Sequence, residues 1–353
     1  MKEEKQTAHP AVLAGLAMVL ALALLLAAVG WGRWRPAVRC SGQAEPTMLV
    51  PVGKTVGIKL FSHGVMVVGL EEISTAQGSY SPAKESGLKV GDIITQLDGQ
   101  QVDTIEQVEE ILRQQSGETL SVTALRAGRR LEVAAEAAPC LADGSYKLGA
   151  WVRDSMAGIG TVTWYDPATG RFCALGHGIN DVDTSLLMPL KTGGIMSATV
   201  TSAVKGSSGH PGQLHGTFDL TQDLGSLTEN TDCGVFGQFC GELDGEALPV
   251  AERSQVSTGA ATILCNVEGD EVKEYSVEIL RLYPAAASET RNLLLQVTDP
   301  DLLDATGGIV QGMSGSPILQ DGRLVGAVTH VLVNDPTRGY GILAETMLDA
   351  CGG

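Results

Sequence analysis

Ser314 sits in Gly312-Met313-Ser314-Gly315-Ser316-Pro317, between the short apolar runs Ile309-Val310 and Ile318-Leu319. A turn at Asp321-Gly322 and a third run, Leu324–Val328, follow. The order reads as strand, tight loop, strand, turn, strand. A serine nucleophile needs an exposed hydroxyl and neighbouring backbone N–H groups converging on one point. There they hold the oxyanion of a tetrahedral intermediate. Glycines at 312 and 315 allow the backbone angles and the close substrate approach this requires. The N–H groups of Gly312 and Ser314 are the expected oxyanion hole. A Gly/Ser/Pro-rich hairpin loop without chemistry has the same composition. His177, in Gly176-His177-Gly178, precedes Ser314 by 137 positions (314 − 177). A histidine on one barrel and a serine on the next, in that order, is the arrangement of a two-barrel serine protease with His177 as general base.

The elements that must position this pair are short. From Tyr146 to Gly353, runs such as Ile159–Trp164, Ser197–Val204, Val272–Leu282 and Leu293–Val297 alternate with Gly/Asp/Asn turns. Runs this short and regular predict an all-β sandwich or a pair of barrels, with helical periodicity only at Ala344–Ala350. At 353 residues the chain is long enough for two domains and an appendage. A net charge of −17 argues against nucleic acid and against a polybasic membrane-surface module. The seven cysteines show no zinc spacing, and Cys233 and Cys240 either pair or are simply buried. His210 and His215 lie on a Gly-rich loop with no nearby carboxylate or cysteine to complete a site. No metal and no cofactor are expected.

Ala11–Val29 is a continuous apolar or Gly stretch of nineteen residues, spanning roughly 28 Å as a helix. Trp31 and Trp34 follow at the expected interface belt. Residues 1–35 therefore read as a transmembrane anchor and 36–54 as a linker. Positive-inside counting places the C-terminal part inside, because Arg33, Arg35 and Arg39 outnumber Lys2 and Lys5. Residues 55–138 run strand, strand, capped helix at Ser81–Leu88, strand, helix at Thr104–Gln114, strand, strand. The peptidase unit is expected over 146–353, after a second linker at Pro139–Ser145.

Two resemblances carry this further. Ser81–Val102, SPAKESGLKVGDIITQLDGQQV, resembles a bacterial PDZ domain of the protease-associated kind, which implies capture of an extended peptide at a sheet edge. The resemblance matches Val56, Gly57 and Ile58 to the turn that binds a peptide's terminal carboxylate. GHG at 176–178, with the string Thr298–Ile342, closely resembles the stage IV sporulation protein B peptidases of spore-forming Firmicutes. These are membrane-anchored serine endopeptidases of the broad chymotrypsin-like class. The implied fold is mainly β: an N-terminal transmembrane helix, an α+β PDZ domain and a double β-barrel peptidase.

The resemblance implies catalytic residues His177, Asp299 and Ser314. Asp299 lies only fifteen positions before Ser314 (314 − 299), closer than the usual spacing, and Asp183 and Asp219 stand as alternatives for orienting His177. His330 and Thr329, on the strand after the nucleophile, are expected near the substrate side chain or as structural residues. The family's role implies a forespore-made protein, exported into the space between the two spore membranes. There it cuts itself near its N-terminus and then a membrane regulator, which frees an intramembrane metalloprotease to mature a late mother-cell sigma factor. The competing reading is a non-catalytic, membrane-tethered PDZ scaffold with a degenerate peptidase domain.

Overall fold

The runs Val56–Leu60 and Gly64–Val68, expected as two strands, are one in the computed structural model: β1 (Thr55–Leu70). The structure describes residues 46–241, 243, 245–284, 288 and 290–351, and from Thr47 onward they form a single unit. The expected anchor at 1–35 and the linker up to residue 45 lie outside the described residues. Among the described residues no helix is long and apolar enough to cross a membrane.

After β1 comes a compact α+β unit: α1 (Pro82–Glu85), β2 (Ile93–Leu97), α2 (Ile105–Arg113), β3 (Thr119–Arg126) and β4 (Arg129–Glu136). Ser81 caps α1 by accepting the Lys84 N–H. Thr104 and Gln107 form a reciprocal capping box at α2, the arrangement that satisfies two orphan N–H donors at once. Val65, Val67, Ile94, Leu97, Leu120 and Val122 are its buried core.

The chain then returns as β5 (Ala150–Tyr165), followed by β6 (Arg171–Ala174), β7 (Leu190–Val204), β8 (Gln213–Thr231) and β9 (Gly234–Phe239). With the first half of β1 these make a ring of six antiparallel strands, β1-β5-β6-β9-β8-β7, closed by β7 pairing back on β1. Val56, Ile58, Leu60, Phe172, Ile195 and Val235 fill it. The second barrel is closed by β10 (Gly259–Cys265), β11 (Lys273–Leu282), β12 (Leu293–Val297), β13 (Pro317–Gln320), β14 (Arg323–Leu332) and β15 (Asp335–Leu343). Closure leaves no bare sheet edge. The helix α3 (Pro300–Thr306) precedes the serine loop, and α4 (Ala344–Ala350) ends the unit. Trp164 and Phe236 of the first barrel share a buried cluster with Ala327, Ile342 and Met347. That cluster fuses the two barrels. The fold is thus mainly β, with two barrels and few helices.

The placement of Val56, Gly57 and Ile58 corrects the sequence reading. They form no turn. Gly57 lies in β1 opposite Ile159 of β5 and Met196 of β7, inside the first barrel. Both edges of the strand are paired there, so its N–H groups serve the barrel rather than a peptide carboxylate. The glycine is needed for packing: a Cβ at Gly57 would lie 2.6 Å from the Phe218 ring. The PDZ-like unit is therefore spliced between two neighbouring strands of the peptidase barrel. Cys240 is a free, exposed thiol, so Cys233 and Cys240 do not pair.

Candidate active site

His177 and Ser314 line one cleft of about 410 Å³ between the barrels, with Ile159, Gly312, Thr329 and His330. His177 leaves β6 through two left-handed residues, Leu175 (φ 71°) and Gly176 (φ 67°). A leucine held there costs on the order of 1–3 kcal/mol, a strain that tertiary packing must offset. Gly176 packs against the second barrel, where a Cβ would come within 2.9 Å of Ile342 and 3.0 Å of Thr329. The tight turn thus aims the histidine across the cleft.

The serine loop is pinned from the first barrel. Gly315 has φ +98°, and a Cβ there would fall 2.1 Å from the Thr161 carbonyl; no other residue fits. Within the loop, the Met313 N–H donates to the Val310 carbonyl, Gly315 to Val328 and Ser316 to Met313. Among the described residues, the N–H groups of Gly312 and Ser314 have no such acceptor. These are the two groups an oxyanion hole needs. Ser316, two positions on, is fully buried.

The Ser314 hydroxyl donates to the Thr329 carbonyl at 2.7 Å. His177 Nδ1 lies 2.8 Å from the Gly178 carbonyl. A carbonyl only accepts, so Nδ1 carries the proton and Nε2 keeps its lone pair, the tautomer a general base requires. Burial pushes the His177 imidazole below its ordinary pKa, opposed by the Gly178 carbonyl. The His330 ring lies beside it, tilted by 42° with centroids 5.2 Å apart. Burial, then the proximity of His177 and Arg291, push His330 down to about 4. Both rings are neutral at pH 7.

The carboxylates are elsewhere. Asp299 is the N-cap of α3: it accepts from the Asp301 and Leu302 N–H groups, and from Ser276 N–H at 3.1 Å. Its charge adds to burial in raising Cys265 and Tyr275 of the second barrel to about 12. Asp183 pairs with Arg153. Asp219 accepts from Thr221 and Gln222. The structure thus brings His177 and Ser314 to one cleft and bonds none of the three aspartates to His177. The sequence reading passed over Asp232, which shares a second cleft of about 430 Å³ with His177, Asn180, Arg291 and His330. No periodicity or motif marks it.

Two closed barrels with a histidine on the first and a half-buried loop serine on the second, facing one cleft, define a serine peptidase. The chain belongs to the SpoIVB peptidase S55 family, whose model matches residues 144–348. A PDZ domain model matches residues 73–126. Among solved structures, the chain is similar to the active form of the Rv3671c protease from M. tuberculosis. That likeness has 14% identity and a TM-score of 0.31, and covers 57% of this chain and 74% of that one. No curated protein matches the chain.

Proposed function

We propose that Ser314 is the nucleophile of a signalling endopeptidase and His177 its general base. The observation that carries this is the shared cleft, with His177 in the tautomer that leaves Nε2 free. In the reaction, Ser314 Oγ swings from the Thr329 carbonyl toward His177, gives up its proton to Nε2 and attacks the scissile carbonyl. The Gly312 and Ser314 N–H groups take the oxyanion, and His177 returns the proton to the leaving amine. Gly178 holds the Nδ1 proton in the state described. Asp299, the acid implied by family resemblance, enters only by leaving its helix cap.

Family membership supports the finer reading. The protein is made in the forespore, held by its N-terminal helix and exported between the spore membranes. It cuts itself between Arg33 and Val56 and then cuts a membrane regulator. That second cut releases an intramembrane metalloprotease acting on a late mother-cell sigma factor. The PDZ scaffold without catalysis is the rival. A fluorophosphonate probe separates the two: labelling of the wild type but not of Ser314→Ala supports the peptidase, and no labelling of either supports the scaffold. N-terminal sequencing of the released fragment locates the self-cut, and a first cut beyond Pro139 would sink that part.

A further inference from the structure

PDZ domains take an extended peptide as an added antiparallel strand, with alternate side chains in pockets. In this protein the strand that would receive it is the second half of β1. One edge pairs with β2, Val65 opposite Ile94 and Met66 opposite Ile93. The other edge is also filled. Ala150 pairs antiparallel with Leu70, Trp151 with Gly69, Val152 with Val67 and Arg153 with Met66. The first turns of β5 thus lie where a peptide ligand would.

The side chains fit that description. Ala150 and Val152 pack on the PDZ core, as does Leu112 of α2, whereas Trp151 between them is 62% exposed. Helix α2 packs against β5, and the Ile105 N–H at its start donates to Asp154 at 3.0 Å. Beyond the groove, Arg153 bonds the buried Asp181, four positions after His177, and the exposed Asp183. Further along the same strand, Thr161 holds the Ser314 loop.

We propose that Ala150–Asp154 is a built-in ligand: the chain fills the peptide groove of its own PDZ domain, and an outside peptide enters only by displacing this strand. Displacement strips Arg153 from Asp181 and leaves that buried carboxylate without its counter-charge, held only by the Thr184 hydroxyl and the Asp183 and Thr184 N–H groups, a costly state. Groove occupancy is thereby tied to the loop that carries His177. The inference stands on strand pairing and needs no catalytic assignment, so it can fail while the peptidase reading holds.

The test uses the intact protein and a fluorescein-labelled peptide of residues 149–154, Gly-Ala-Trp-Val-Arg-Asp, read by anisotropy. Val152→Asp, which puts a charge on the PDZ core, should bind the probe at least tenfold more tightly than the wild type. Val152→Ser should shift affinity the same way by a smaller factor, and serves if the aspartate variant does not fold. The double variant Gly69→Cys with Trp151→Cys is the locked control. A Cβ at Gly69 lies 3.5 Å from that of Trp151, within disulfide range. Once oxidised, it should bind no probe. Equal probe affinity in the wild type, the Val152 variants and the oxidised control would overturn the proposal. Turnover of a short peptide should fall at least fivefold in Val152→Asp while its melting stays cooperative; unchanged turnover would overturn the tie to His177.

Discussion

Thr161 binds the Ser314 loop through its backbone and its side chain: its N–H donates to the Ser314 carbonyl at 3.0 Å, and its hydroxyl to the Gly312 carbonyl at 2.8 Å. Its own carbonyl accepts from Leu175, two positions before His177. One residue of the first barrel therefore fixes both catalytic loops. Thr161→Val keeps the β-branched shape and removes the hydroxyl, leaving the half-buried Gly312 carbonyl short of a donor. Stability should drop by about 1–3 kcal/mol, measured by urea unfolding. kcat should fall more than KM rises, because the Gly312 N–H loses its position. Unchanged kcat would show that the loop holds its shape without the hydroxyl.

Ser314→Ala should lose all fluorophosphonate labelling and keep the wild-type melting temperature, since it removes one hydroxyl at the cleft wall. Ser316→Ala should keep most of the activity, because Ser316 is fully buried and reaches no substrate. The reverse pattern would move the nucleophile.

Asp299 separates capping from catalysis. Asp299→Ala loses the α3 cap and the Ser276 bond, and should cost about 1–2 kcal/mol. Asp299→Asn caps almost as well and should recover most of that loss in thermal unfolding. Turnover of the Asn variant then assigns the role. Recovery alongside stability marks a structural aspartate. A residual loss of roughly 10⁴-fold, as when a triad acid becomes an amide, marks one that reaches His177 in the working enzyme.

The two neighbouring histidines set an acid limit. The folded-state pKa of His330 is about 4, against an ordinary 6.5, so between those pH values the unfolded chain binds more protons than the folded one. Stability therefore falls as pH drops through that window, and the loss is complete below about 4. His330→Phe should flatten the slope of unfolding free energy against pH between 6.5 and 4. His177 is shifted in the same direction, so the acid limb of kcat/KM should lie below pH 6.5. A limb at or above 6.5 would mean that a carboxylate stabilises the imidazolium.

Much of this was legible in the sequence. Glycines flanking Ser314 and His177 marked tight loops with special backbone angles; Gly176 and Gly315 are both left-handed, Gly176 against second-barrel side chains and Gly315 against the Thr161 carbonyl. Short apolar runs separated by turns marked an all-β sandwich or a pair of barrels, and closure of both sheets decides for barrels. Ile105, Val108, Ile111 and Leu112 at helical spacing marked α2. Other features were hidden for physical reasons. In Asp299-Pro300, followed by Asp301–Thr306 and Gly307, the cap, the N1 proline and the left-handed stop of α3 were all present. A catalytic reading of the aspartate obscured them. The turn at Gly57 came from the PDZ resemblance, although the run Val56–Leu60 itself reads as a strand; only the distant Phe218 explains the glycine. The pairing of β1 with β5 joins residues far apart in the chain, and no periodicity encodes a partner.

The splice of the PDZ unit into the barrel has a consequence for biosynthesis. Leu70 waits for its partner Ala150, 80 positions later (150 − 70). At about 5–20 residues per second, the interval during translation is roughly 4 to 16 s. Through that interval the nascent PDZ unit carries an uncovered strand edge, which the finished protein covers with its own chain. A chaperone or partner that recognises extended segments thus meets two different molecules, one still emerging from the ribosome with the edge bare and one complete with it sealed.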